Sequence, residues 1–135
     1  EPRKAFAARY GREADEPEAR ARYRGDVEAL QGWDDFQEPL RRYLTARHFA
    51  NWYAYQGYGV RTEAFSLACA YHLVRTFAML RAGEGGALSR DDMKWAFRAS
   101  DYFLLHALSR QALAGHLSRI EAADEHDVFH MVFDG

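Results

Sequence analysis

The segment Arg47-His48-Phe49-Ala50-Asn51-Trp52-Tyr53-Ala54-Tyr55-Gln56-Gly57-Tyr58-Gly59 is the most unusual stretch of the chain. It interleaves aromatic rings with Arg47, Asn51, Gln56 and the hydroxyls of Tyr53, Tyr55 and Tyr58. Rings beside a few placed donors and acceptors line small-molecule pockets and the cores of protein interfaces. Polar groups among so many rings are costly to bury without partners, which is the argument for a binding role. The alternative is a helix clamped on both sides by neighbours, which needs apolar residues all round. On the binding reading, Arg47, Asn51, Trp52, Tyr55, Gln56 and Tyr58 are the ligand or interface candidates.

His72 and His106 fall at helical spacing among apolar residues and could meet across a bundle as ligands or proton carriers, since imidazole titrates near neutrality. The plainer reading makes them buried polar residues, each hydrogen-bonded inside a core. Cys69 lies one turn before His72, as a nucleophile and its base would. Without a third group to orient the pair, the arrangement reads instead as a small buried thiol. His126 and His130, four apart, would share a helix face, but zinc-protease chemistry places glutamate directly after the first histidine. Here Asp127 stands there, and with no third ligand close in sequence no metal is assigned. Asp34-Asp35 and Asp91-Asp92 read as helix-start charges rather than catalytic dyads. Gly83–Gly86 is followed by no lysine-serine pair, so no phosphate-binding loop is present.

These residues need helices to position them. Residues 1–16 are charged and punctuated by Pro2 and Gly11, as in an N-terminal arm packed through Phe6 and Tyr10. A first helix is expected from Asp15 or Pro17, through Ala19, Tyr23, Val27 and Leu30, to a stop at Gly32. The second starts at Glu38-Pro39, turns through Leu40, Tyr43, Leu44 and Phe49, and runs into the aromatic segment until Gly57 and Gly59. A third spans about Thr62 to Ala82, with Phe65, Cys69, Leu73, Thr76 and Leu80 on one stripe and Ala68, His72 and Phe77 beside it. The fourth opens at Leu88-Ser89-Arg90-Asp91-Asp92, where Ser89 caps the free amides and Asp92 reaches back. Met93, Phe97, Ser100, Leu104 and Leu108 then share a face. Ser109 opens a fifth helix through Ala112, Leu113, Leu117 and Ile120. The apolar run Val128–Phe133 is strand, helix end or docking tail, which periodicity does not decide. The fold class is therefore all-α: a bundle of four to five helices over 17–127, between the arm and an apolar tail at 128–135.

Bulk properties narrow the function. With 135 residues, 48% of them hydrophobic, the chain builds one domain with a real core and is not disordered. A net charge of −2 argues against nucleic acid, whose binding needs a basic surface. All basic residues but Lys4 and Lys94 are arginine, a bias expected of genome composition. No stretch reaches the length of about eighteen apolar residues that spans a bilayer. The single cysteine excludes an internal disulfide and a cysteine metal cage, and points to the cytoplasm. The opening Glu-Pro-Arg-Lys has no signal-peptide character, and the lack of an initiator methionine fits a processed or excised chain better than a complete reading frame.

The order of features from Leu40 to His106 resembles a family. An aromatic helix from Arg42-Tyr43-Leu44 through Asn51-Trp52-Tyr53 leads into a long apolar helix, Phe65 through Leu80. A glycine loop and Leu88-Ser89-Arg90-Asp91-Asp92 then open a helix ending near His106. About half the chain is thus similar to the C-terminal helical part of the flagellin lysine-N-methylases and their cysteine-cluster relatives. The resemblance implies methyl transfer from S-adenosylmethionine to flagellin lysines, with an iron–sulfur centre in the cysteine cluster. Cys69 alone cannot hold such a cluster. On this reading the cysteine-bearing part precedes Glu1, and neither cofactor is bound within this chain. No family motif transfers a catalytic residue to a position here.

Two functions follow from different classes. The first is a helical domain of such a methylase-like protein, shaping a pocket or substrate-protein surface with its aromatic helix. The second is a stand-alone interaction or dimerisation module, since ring-rich exposed patches mark binding surfaces. A ligand-sensing domain is compatible with an all-helical chain, but no particular residue favours it.

Overall fold

The structure, a computed structural model, describes residues 4–5, 8–9, 17–51, 57, 59–83, 86–106, 111 and 115, with no account of the side chains of residues 20 and 51. Four α-helices form the described body: α1 (Pro17–Glu28), α2 (Gln37–Asn51), α3 (Gly59–Ala82) and α4 (Arg90–His106). No strand occurs among the described residues, and the all-α class holds. Of the expected fifth helix only residues 111 and 115 are described, both helical; the aromatic positions 52–56 and 58 and the tail at 128–135 lie outside the described residues.

Each helix starts and stops for local reasons. Pro17 opens α1, where its missing N–H costs nothing, and Glu18 sits in the first turn. The helix ends at Glu28, and Gly32 then redirects the chain with φ +78°, a conformation open to glycine. A 3₁₀ turn, Asp34–Phe36, runs directly into α2, so that helix begins at Gln37, one residue before the expected Glu38. Helix α3 begins at Gly59, three residues before Thr62, and gives way at Gly83. Ser89 and Asp92 close a reciprocal capping box. The Asp92 N–H donates to Ser89 Oγ (3.2 Å), and the Ser89 N–H donates to Asp92 Oδ2 (3.0 Å).

Helix α3 is the centre of the bundle. It packs most extensively on α4, then on α2 and α1. From Phe65 to Leu80 every residue is buried or half-buried, as expected of a helix with neighbours on several sides. Its deepest line is Glu63, Ser66, Ala70, Val74 and Phe77-Ala78, offset from the expected stripe through Phe65, Cys69 and Leu73, whose members are half-buried. The reason is composition: the deepest line carries small and polar residues, so a search for large apolar side chains selects its flank. On α4, Met93, Ala96, Ser100 and Leu104 are buried, and Phe97 and Phe103 flank them.

The main core joins Trp33, Leu40, Val74, Phe77, Ala78, Leu88, Met93 and Ala96. Tyr43 stacks on Phe97 with ring centres 4.7 Å apart, and Phe77 meets Trp95 and Phe103 edge-on. Trp33, in the α1–α2 linker, meets Tyr71 edge-on, and the Arg75 guanidinium lies 5.5 Å from the Trp33 ring centre. The α1–α2 linker is also tied to the α3–α4 loop, where the Leu88 N–H donates to the Gln31 carbonyl (3.1 Å) in an isolated parallel bridge. Helix α1 is more exposed and is pinned by the Tyr23 hydroxyl at 2.7 Å from Thr76 Oγ1.

Candidate functional site

The buried line of α2 repeats at three and four residues: Leu40, then Tyr43 and Leu44, then Arg47. Arg47 thus takes the position where an apolar residue would complete the stripe, and it is only 7% exposed. Phe49, expected on an apolar turn, is instead 66% exposed. It lies nine residues after Leu40, which at about 100° per residue is the opposite face of the helix.

A guanidinium in a core position needs a partner, and α4 supplies it. Arg47 Nη1 donates to Asp101 Oδ1 at 2.5 Å. The Tyr43 hydroxyl, one turn earlier, lies 2.9 Å from the same carboxylate oxygen and 3.2 Å from Ser100 Oγ. Ser100 is fully buried on the α4 face, while the Asp101 side chain is about half exposed. Burial first, and the Asp101 carboxylate with it, push the Tyr43 hydroxyl up to about 12 against the opposing effect of Ser100. Tyr43 therefore acts as a proton-holding donor, not as a base. Arg47 Nε is buried and makes no hydrogen bond.

The next residue ties α2 to α3. His48 Nδ1 lies 2.5 Å from Glu63 Oε1, and the Glu63 side chain is 6% exposed. The contact is short but poorly aligned, and Glu63 Oε1 makes no well-formed hydrogen bond. Adjacent residues at the end of α2 thus reach two different helices, Arg47 to α4 and His48 to α3.

Large hydrophobic side chains are exposed around this polar tie. Phe49 and Val60 flank the ends of α2 and α3, and Tyr102 and Leu105 occupy the last turns of α4, all at least 63% exposed. The Arg47–Asp101 and His48–Glu63 contacts bring these three helix ends together, so the four residues lie at one end of the bundle, Phe49 and Tyr102 each on the side of its helix away from the buried line.

The sequence candidates fare unevenly. Arg47 is placed as a buried site residue. Asn51 closes α2, with no account of its side chain, and Trp52, Tyr55, Gln56 and Tyr58 lie outside the described residues. His72 is half-buried on α3 with its ring edge-on to Tyr71. His106 is exposed on the last turn of α4 against Tyr102, which corrects its expected burial. Two residues beyond Leu104, it points about 200° away from the buried line. Cys69 is half-buried, and burial raises its thiol above the ordinary value. His126 and His130 lie outside the described residues. No group of three or more metal-ligating side chains occurs among the described residues. No described helix is long and apolar enough to cross a membrane.

Sequence reasoning missed Tyr43, His48, Glu63, Ser100 and Asp101 as members of one cluster. Two signals were available: Arg47 two turns after Leu40, and Ser100 within the apolar stripe of α4. Their coincidence marks a polar layer between two helices. The chain matches no protein-family model, no curated protein and no solved structure in comparisons with each.

Proposed function

We propose that this chain is a helical interaction module that docks another protein on the bundle end formed by the last turn of α2, the first turn of α3 and the last turns of α4. One observation carries the reading: Phe49, Val60, Tyr102 and Leu105 are all strongly exposed at that end. Single exposed hydrophobics need no explanation, but these four, the exposed large hydrophobics among the described residues, all fall on helix turns that meet at one end, and exposed apolar surface concentrated in one region marks interaction sites. Beneath it, the Arg47–Asp101 ion pair ties α2 to α4, and His48 lies against Glu63 of α3. A surface held in place before binding loses less freedom on association. On the resemblance to lysine-N-methylase-like proteins, the docked partner would be the substrate protein. No distance or burial among the described residues favours that version over a non-catalytic one.

The test is a photo-crosslinking residue placed at Tyr102 and, as control, at Arg90. Arg90 is exposed at the opposite end of α4, about 18 Å away at 1.5 Å per residue. Irradiation in cells should give protein adducts from position 102 and none from position 90. Adducts from neither position, or equally from both, would refute docking at this end.

A further inference from the structure

We draw no further inference here: the strongest candidate, the half-buried Arg75 guanidinium on α3, which lies against the Trp33 ring with its Nε buried and unbonded, rests on a single side chain, and nothing in the structure shows what covers it.

Discussion

Removing the two partners of the Arg47–Asp101 contact should have unequal costs. Arg47 is nine-tenths buried, whereas the Asp101 side chain is about half exposed. Asp101→Ala strands a buried guanidinium that already has an unbonded Nε, and it also removes an acceptor from the Tyr43 hydroxyl. A charge-assisted hydrogen bond contributes about 1.5–3 kcal/mol and a neutral one about 1. Water entering at the half-exposed position recovers part of this, and the better helix propensity of alanine returns about 0.5. A net loss of about 2–3 kcal/mol is expected. Arg47→Met removes the same ion pair but also removes the buried charge and its orphaned Nε, and it returns Asp101 to water. The apolar isostere fills the volume, so the expected cost is about 0–1 kcal/mol. Urea denaturation followed by circular dichroism, at fixed chain concentration, measures both variants and the double variant. The cycle should show a coupling of about 1–2 kcal/mol. Equal costs, or a larger loss for Arg47→Met, would show that the guanidinium is not held by Asp101 in a desolvated site.

Three further outcomes are expected. Glu63→Leu should be neutral or stabilising by up to about 1 kcal/mol in urea melts, because it removes a buried carboxyl oxygen that makes no hydrogen bond; a loss above about 1 kcal/mol would contradict this. The Tyr43 hydroxyl, raised from its ordinary 10 to about 12, keeps its proton in the fold after the unfolded chain has lost it. Its contribution to stability is therefore complete below pH 10 and is lost as pH rises to 12, by about 1–2 kcal/mol after allowance for its partial exposure. Alkaline stability profiles of the parent and Tyr43→Phe should diverge over that window and nowhere below it. Ser89→Ala should cost about 1 kcal/mol and raise amide exchange in the first turn of α4, since the Asp92 N–H loses its acceptor; unchanged exchange there would contradict the capping box.

The helices were legible where their boundaries are written in local chemistry. Ser89 with Asp92, Pro17, and Gly83 after Ala82 each satisfy or interrupt backbone hydrogen bonds within a few residues, so short-range sequence determines them. The buried line of α3 was less legible, because a helix covered on several sides has no single apolar stripe and its deepest positions include Glu63 and Ser66. Trp33 joins the core from a linker, where no periodicity applies. The polar cluster was half legible. Arg47 drew attention for its aromatic company, yet it matters as the seventh residue after Leu40. Asp101 and Glu63 come from helices fifty-four and sixteen residues away, and only the packing of α3 and α4 on α2 joins them.

The ionic ties and the exposed apolar residues share one end of the bundle, and that placement has a consequence. Apolar packing tolerates small slides of one helix past another, while a bond between an identified donor and acceptor does not. If the Arg47–Asp101 contact sets the position of α2 against α4, it also sets the spacing of the turns that carry Phe49, Tyr102 and Leu105, which lie two, one and four residues from the bonded pair. The variant Arg47→Met/Asp101→Asn keeps side-chain volume and removes both charges, so its stability should stay within about 1 kcal/mol of the parent. Its surface would carry the same four hydrophobic side chains, yet the yield of protein adducts from a photo-crosslinker at Tyr102 should fall about tenfold because the helix ends are no longer held in register. Crosslinking yield in cells and urea melts of the purified variant separate the two effects. Loss of stability in proportion to loss of association would mean that the contact holds the fold together. Unchanged stability and unchanged association would mean that apolar packing alone positions the docking surface.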